Sequence, residues 1–416
     1  MIIFVYIVLF ILILIFNFFK HRNILTVGVL ISFIWILCGI FIEIRFLPII
    51  KPSIQVHSYI FQFLLIFNLI YLLFLKKNNR LKFFPIFQIS KNKIAFLYIF
   101  NILAILIILP LTYRVAIFVI ENGFYTYRSY IFQYIEDSHY LQFLYKNIIF
   151  SIFDTTALIT AFSLATRKKS KLLIIMTIIG ILLYTFTFGG RYSIFNFIIY
   201  YVSSVVIVKY RHNHFKVRYA VFGILALLLV TNIRGNGSYS ILESIYLYFI
   251  GSFSYLQYIL DHPIYYGLSD NFHGFLTFGF IFEPIVLTMK QFFGSNLDVP
   301  SFYFNIYAQQ FVNIGDSNVV MYNNNSTMFY VFIRDFGNLG VTIGSIILSS
   351  VFVYFSNKFY TNKKIVSGVI LVYLSNVIIT GTMMYSLITA RASISILIVL
   401  FILSGIKYKE VGEMIE

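Results

Sequence analysis

The sequence has few charged residues. Of its 416 residues only 11% are Asp, Glu, Lys or Arg, whereas 60% are hydrophobic and 20% are aromatic. Soluble domains carry about 25% charged residues, because a surface in contact with water has to be polar. The shortage excludes a water-soluble enzyme and predicts a protein whose surface contacts lipid. The chain also has a single cysteine, Cys38, which excludes an intramolecular disulfide framework.

Sequence signatures of nucleotide and metal chemistry are also missing. The chain contains no Walker motif, no D-x-D, no G-x-S-x-G, and no zinc-ligand spacing such as H-x-x-x-H or C-x-x-C. It shows no internal repeat and no low-complexity tract either. We therefore expect neither nucleotide-driven chemistry nor a metal site, and no cofactor.

Eleven apolar segments are candidate transmembrane helices, which need about 20 mainly apolar residues. Two longer stretches have to be divided, since a helix over the whole of 172–208 would be roughly 55 Å long. Gly189-Gly190, with Arg191 at the tip, predicts a turn in that stretch, and Arg391 marks a second turn in 365–406. The predicted spans are about 2–19, 24–42, 56–75, 94–118, 147–165, 172–188, 192–208, 219–233, 326–355, 365–386 and 392–406.

The net charge of +16 predicts how these segments are oriented. Most lysines and arginines lie in connections that alternate to one side, which the positive-inside rule makes cytoplasmic. The N-terminus is then outside and the C-terminus cytoplasmic. We expect the first segment to be a retained span, because it lacks the basic region and the cleavage site of a signal peptide. The charge therefore requires no nucleic acid, and residues 1–416 are predicted to form a single all-α polytopic integral membrane domain.

Two predicted outer connections, 119–146 and 234–325, are long. Loops of this length are uncommon unless they are functional. Within the larger one, 241–260 and 275–293 are apolar enough to touch the membrane. If both crossed it, 261–274 would be cytoplasmic with two acids and no Lys or Arg, against the charge pattern. We therefore expect re-entrant or interfacial helices there.

Arginine outnumbers lysine on the predicted outer side. Its planar, permanently charged guanidinium suits phosphate, so arginines at outer helix ends could cradle a lipid-linked phosphate. Each could equally make a structural or headgroup contact. Arg191 and Arg234 are the stronger candidates, since each adjoins glycine (GGR, RGNG) that exposes the backbone to a ligand. The outer basic residues are Arg45, Lys51, Arg114, Arg128, Lys146, Arg191, Arg234, Lys290, Arg334 and Arg391.

A histidine or a carboxylate of the outer loops could act as a general base towards a sugar hydroxyl. His273 is preferred over His139 and His262, because it lies between Asp270 and the apolar segment that holds Glu283. Glu283 itself lies in FIFEPIV, where desolvation would raise its pKa. The alternatives are an ordinary polar loop histidine and a helix-break carboxylate paired to a basic neighbour.

Charged and polar residues also lie at the predicted start of the ninth span. Arg334-Asp335 begins that span in this interpretation, and adjacent opposite charges there could be only a local pair that eases insertion. Asn323, in the polar stretch 322–327, could read a sugar through amide hydrogen bonds or cap the helix.

The order of these motifs resembles that of the oligosaccharide repeat-unit polymerases, the Wzy-type O-antigen and capsule polymerases. The resemblance rests on GGRY (189–192) at a hairpin tip, on RGNG (234–237) at the start of a large outer loop, and on NNNST followed by RDFG (323–337) entering a late span. Arg128 in the earlier outer loop fits the same pattern. The motifs cover about residues 120–345, and the many-span plan covers the whole chain.

The resemblance implies a GT-C-like, metal-independent glycosyltransferase of the bacterial inner membrane. Its substrates would be oligosaccharide repeat units on undecaprenyl pyrophosphate, and the growing chain would be transferred to the incoming unit with release of undecaprenyl pyrophosphate. His273 or Glu283 would deprotonate the acceptor hydroxyl. Besides lipid, a chain-length regulator protein is a candidate partner. The implied substrate-binding residues are Arg128, Arg191, Arg234, Asn323, Arg334, Asp335 and Arg391, of which Arg191, Arg234 and Arg128 would stabilise the pyrophosphate.

Two other functions remain open. An O-antigen ligase would use the same lipid donor with a different acceptor, which the sequence does not show. A lipid-linked oligosaccharide flippase should hold charges at the bilayer midplane and often shows internal repeats. Asp154 is the clearest mid-span charge, and no repeat is present.

Overall fold

The computed structural model is that of an all-α polytopic membrane protein. Among the residues it describes, seven helical segments are long and apolar enough to cross a membrane. The structure describes all residues other than 22–24, 77–84, 87–90, 124–126, 128–129, 132–140, 142, 167–169, 209–239, 309–310, 317, 323–325, 407–408 and 411–416.

Fourteen α-helices are present in the described part of the chain. The first seven are α1 (Ile2–His21), α2 (Val27–Ile44), α3 (Ile54–Phe74), α4 (Lys91–Asn122), α5 (Phe150–Ala165), α6 (Lys171–Phe188) and α7 (Tyr192–Val208). The others are α8 (Ile241–Asp261), α9 (Gly279–Phe293), α10 (Pro300–Ala308), α11 (Met328–Phe336), α12 (Gly340–Asn362), α13 (Ile365–Thr380) and α14 (Ala390–Leu403). A π-helical segment, Phe143–Ile149, leads directly into α5.

The strands are two residues long. In chain order they are β1 (Pro85–Ile86), β2 (Val312–Asn313), β3 (Met321–Tyr322) and β4 (Lys409–Glu410). β1 pairs antiparallel with β4, and β2 pairs antiparallel with β3, with Val312 opposite Tyr322 and Asn313 opposite Met321. β2 and β3 therefore close a short hairpin, whereas β1 and β4 join distant parts of the chain, and these four strands form no layer of the fold.

Every predicted span except 219–233, which lies outside the described residues, falls mainly on helical residues, and the ninth, 326–355, is divided between α11 and α12. Three of these helices, α7, α13 and α14, have 17, 16 and 14 residues and are apolar but shorter than the seven long segments. The helices at 241–261 and 279–293, which the charge pattern assigned to the outer loop, are not among the seven long apolar segments. Of the outer connection 119–146, the first four residues continue α4 and the last four belong to the π-helical segment.

The predicted turn at Gly189-Gly190 is confirmed. α6 ends at Phe188, Gly189 has a left-handed φ of 60°, and α7 begins at Tyr192. A Cβ atom at Gly189 would lie 2.1 Å from the hydroxyl of Tyr127. Both the backbone angle and the close approach therefore require glycine at this position.

The ninth predicted span is a broken helix. α11 ends at Phe336, Gly337 takes φ 61°, and one 3-10 turn (Gly337–Leu339) precedes α12. The prediction that Arg334 and Asp335 begin this span is wrong, since they lie in the last turn of α11. A helix break inside an apolar span leaves backbone groups that need other partners, so irregular backbone is tolerated only where protein or water surrounds it.

The chain forms two compact units, which divide the stretch that the sequence presents as one domain. The first unit comprises Met1–Asn79, Leu242–Asn357 and Val377–Ala392, and the second comprises Arg80–Ile241, Lys358–Asn376 and Ser393–Glu416.

Each unit has an apolar core that includes a few buried polar contacts. In the first unit the Trp35 indole packs against Phe63 and Phe329 and donates a hydrogen bond to the carbonyl of Ile378 at 3.1 Å. In the second unit Asp154 is buried in α5. Its carboxylate accepts hydrogen bonds from Asn196 at 3.1 Å and Tyr200 at 2.9 Å.

Candidate functional site

The predicted site residues are divided between the two units. His273, Glu283, Arg334, Asp335 and Arg391 all belong to the first unit, although they come from four separate parts of the chain. Arg191 belongs to the second unit, where it lies at the hairpin tip and its carbonyl accepts a hydrogen bond from the N–H of Phe195. Arg128, Arg234, Asn323 and His139 lie outside the described residues.

Arg334 lies in the interior, with 0% of its side chain exposed. A buried charge is tolerated only when it is paired and hydrogen-bonded. Its guanidinium donates to the carbonyl of Gly267 at 3.2 Å and to the carbonyl of Tyr303, and its Nη2 lies 3.4 Å from Oδ2 of Asp270. Arg334 therefore holds the turn that follows α8 against α10.

Three aromatic rings complete the surroundings of this guanidinium. The Arg334 Cζ atom lies 4.7 Å from the ring centroid of Phe272, 5.0 Å from that of Tyr307 and 5.5 Å from that of Tyr330. Aromatic faces attract a cation most strongly where water is excluded. The position therefore suits an arginine with a structural role.

Asp335 is also fully buried, and its carboxylate accepts the backbone N–H groups of Leu276, at 3.1 Å, and of Thr277. The backbone carbonyls of Arg334 and Asp335 accept the N–H groups of Phe272 and His273 at 3.1 and 3.0 Å. The two adjacent residues therefore fasten the segment 267–277 to the end of α11. A local Arg–Asp pair does not describe this geometry, because the carboxylate that faces Arg334 is that of Asp270.

The segment that these contacts fasten carries His273. Its backbone takes φ 51°, in the left-handed region that few non-glycine residues adopt, and Gly274 follows with φ 94°. Such a conformation persists where the surrounding structure fixes it, and here the His273 N–H bond to Asp335 does so. The His273 side chain is exposed. Its imidazole therefore lies on the surface of the unit, on a segment whose backbone is held by Arg334 and Asp335.

Glu283 lies on the buried face of α9, with 4% of its surface exposed. Its Oε2 accepts the N–H of Ser301, in the first turn of α10, at 3.2 Å. The N–H of Ala390, the first residue of α14, also bonds this carboxylate, and Arg391 lies near it. Two helix N-termini thus direct their positive ends at one carboxyl group.

Burial raises the pKa of Glu283 to about 7, although Ser301, Ala390 and Arg391 each act to lower it. The direction agrees with the prediction from the apolar sequence around it. The helix-break part of the alternative is wrong, because α9 continues through Pro284 to Phe293, but a basic neighbour, Arg391, does lie near the carboxylate. A carboxyl group that gains and loses its proton near neutral pH is suited to acid–base chemistry.

The short helix α10 contacts both Glu283 and Arg334. α10 donates its Ser301 N–H to Glu283 and accepts the Arg334 guanidinium at the Tyr303 carbonyl. Sequence reasoning missed both contacts. On the α10 side each is made by a backbone group, which every residue type has, so neither leaves a signal in the sequence. Tight packing also fixes α9, since a Cβ atom at Gly279 would lie 2.4 Å from the carbonyl oxygen of Ile388.

The described residues include no group of three or more His, Cys, Asp or Glu side chains placed to hold a metal ion. The first unit thus holds an exposed imidazole, that of His273, and a buried carboxyl group, that of Glu283, which titrates near neutral pH beside the partly buried Arg391. These groups can move a proton and bind an anion. Comparison with protein-family models, curated proteins and solved structures finds no match to this chain.

Proposed function

We propose that the protein is a glycosyltransferase of the bacterial inner membrane that joins oligosaccharide repeat units carried on undecaprenyl pyrophosphate. The growing chain moves to a hydroxyl of the incoming unit. The bond between its reducing sugar and the pyrophosphate breaks, and undecaprenyl pyrophosphate leaves. This donor is already activated, so the reaction needs no nucleotide, in keeping with the absence of nucleotide motifs. The orientation that the charges predict would put the site on the outer face of the membrane.

The observation that carries the proposal is the Glu283 carboxyl group. An ordinary glutamate is a weak base, whereas one with a pKa of about 7 binds the proton of a sugar hydroxyl more strongly and is still partly ionised at neutral pH. The N–H groups of Ser301 and Ala390 hold the carboxylate in one place. The exposed His273 is the second candidate for the base.

Arginine supplies the other half of the chemistry. Negative charge grows on the pyrophosphate as its bond to the sugar breaks, and a guanidinium stabilises such charge with two parallel hydrogen bonds. Arg391 is partly buried beside Glu283, so it can face an anion and the base together. The pyrophosphate roles of Arg191, which belongs to the second unit, and of Arg128 and Arg234, which lie outside the described residues, stay predictions from the resemblance.

The test is surface polysaccharide from a deletion strain that carries wild-type or variant protein at matched expression, separated on a gel. The wild type should restore long polymer. Glu283→Gln should reduce the polymerisation rate by about 10²–10⁴-fold, the usual contribution of a general base. Arg391→Ala should also reduce polymer. Lys290→Ala is the matched control on the same helix, since Lys290 is exposed and forms an ion pair with the partly exposed Asp298 at 3.0 Å.

The pattern of products separates the rival functions. Loss of a polymerase leaves single repeat units on the lipid core, loss of a ligase leaves bare core, and loss of a flippase leaves no product on the outer face. Bare core in the deletion strain would therefore replace the proposal by a ligase. Normal long polymer with Glu283→Gln but not with His273→Gln would transfer the role of the base to His273.

A further inference from the structure

We infer that the end of α8 and the turn after it form a carbohydrate-binding subsite. We call it the Tyr265 platform, defined by Asp261, His262 and Tyr265. The inference rests on the proposed function, and it adds the place at which one sugar unit of the lipid-linked oligosaccharide is held. None of these three residues has a role in the chemistry described above.

The carboxylate of the platform is exposed, yet its direction is fixed. Oδ1 of Asp261 accepts a hydrogen bond from Nε2 of Gln257 at 2.8 Å. Gln257 is buried, and its Oε1 accepts the N–H of Ser53 at 2.8 Å, so the amide is held at both ends. No described residue donates to Oδ2 of Asp261, which leaves that oxygen as an oriented acceptor for sugar hydroxyls.

Two exposed rings lie next to this carboxylate in the chain. The His262 imidazole stacks on the Tyr258 ring with centroids 4.5 Å apart, and its Nδ1–H donates to the Tyr258 carbonyl at 2.9 Å. With Nδ1 as the donor, Nε2 is the ring nitrogen left to bind a hydroxyl. Tyr265 is 59% exposed and stands against the Tyr266 ring at 75° with centroids 5.0 Å apart. Flat aromatic faces pack against the C–H faces of sugar rings, while carboxylate and imidazole bind the hydroxyls at the edges.

The turn that bears these rings is held rigidly by the interior. The buried Tyr266 offers its carbonyl to the hydroxyl of Tyr330 at 3.1 Å, and the next carbonyl, of Gly267, accepts Nε of Arg334 at 3.2 Å. Little conformational freedom is then lost when a ligand binds, which favours affinity. Arg334 and Asp335 also hold the segment of His273. A sugar bound on the platform would therefore lie at a fixed position relative to His273.

An exposed tyrosine beside an exposed isoleucine, Ile264, is also typical of a protein surface that lies at the membrane interface. The fixed carboxylate favours a sugar, because Asp261 would lose hydration in an apolar boundary without gaining a partner. A bilayer contact is therefore the competing outcome of the test.

The test measures binding of a free oligosaccharide to the full-length protein in lipid nanodiscs. The probe is the repeat-unit oligosaccharide released by mild acid from the lipid-linked pool of the cell that makes the protein. Tyr265→Ala and Asp261→Asn should each weaken its Kd by about tenfold, the loss of one good contact. Tyr113→Ala is the matched control, since Tyr113 is a 68% exposed tyrosine on α4 in the other unit, and it should bind as the wild type does.

Wild-type affinity in both platform variants would overturn the inference. So would a new fluorescence in Tyr265→Trp that brominated lipid quenches and that the oligosaccharide leaves unchanged, which would show a bilayer contact. The polysaccharide gel tests the proposed function separately. Binding at the platform by a protein whose deletion leaves polymer intact would refute the polymerase and keep the subsite, whereas normal binding and normal polymer in Tyr265→Ala would refute the subsite alone.

Discussion

Replacing Glu283 by glutamine should remove a large part of the pH dependence of the protein's stability. The carboxyl group is 4% exposed, and its pKa rises from 4.5 to about 7 on folding, chiefly because burial disfavours the charged form. A difference of this size corresponds to about 3 kcal/mol, at about 1.4 kcal/mol for each pH unit. The glutamine side chain has the same shape and no charge to desolvate.

The sign follows from proton binding in the two states. Between pH 4.5 and about 7 the folded protein keeps a proton on Glu283 that the unfolded chain has already lost. Folding is therefore favoured by acid in this window, and the stability of the wild type falls as pH rises through it. Above about pH 7 both states are ionised and the contribution is constant.

The assay is thermal unfolding of wild type and Glu283→Gln in lipid nanodiscs between pH 5 and pH 8. The variant should gain stability relative to the wild type as pH rises, by about 3 kcal/mol in total, with no further gain above pH 8. Lys290→Ala on the same helix should follow the wild type at every pH. A difference between Glu283→Gln and wild type that stays constant from pH 5 to pH 8 would refute the raised pKa.

Two further predictions concern single contacts. Asp335→Ala leaves the buried N–H groups of Leu276 and Thr277 without an acceptor, so the free energy of unfolding should fall by about 1–3 kcal/mol for each, and the segment of His273 should exchange amide hydrogens faster. Unchanged exchange at 272–277 would contradict the role of Asp335. Gly189→Ala should destabilise the protein by about 1–3 kcal/mol, because of its left-handed φ and the Tyr127 hydroxyl, whereas Gly190→Ala meets no atom within 4 Å. Equal unfolding temperatures for the two alanine variants would contradict this.

The helices could be predicted from sequence, because the backbone hydrogen bonds of each span are made within that span. A bilayer contains no water to satisfy backbone groups, so a long apolar run has to be helical whatever its neighbours are. The turn at Gly189 could be predicted as well, since the length of the stretch 172–208 exceeded one crossing. The break at Gly337 was missed, because the hydropathy of 326–355 is continuous and one glycine in an apolar run carries no clear signal.

Of the candidate site, too, only those features that depend on neighbours in sequence could be predicted. That the pKa of Glu283 is raised could be predicted, because its apolar neighbours are adjacent in sequence. The contacts of Arg334 and Asp335 could not, since their partners are carbonyl and N–H groups of residues some 60 positions away in the chain. The platform at Tyr265 was missed for the same reason, because its rigidity comes from Arg334 and Tyr330.

By itself the sequence determined that this is an all-α polytopic membrane protein, through the scarcity of charge and the length of its apolar runs, and it predicted on which side each connection lies. Only the tertiary structure decided which of the few charged residues meet. It buried Arg334 and Asp335 where they hold the segment 267–277, placed Glu283 between two helix N-termini, and left His273 exposed. The physical reason is that the backbone of an apolar span satisfies its hydrogen bonds in lipid only as a helix, which depends on the local sequence. The partners of a buried charge depend instead on how helices distant in sequence pack together.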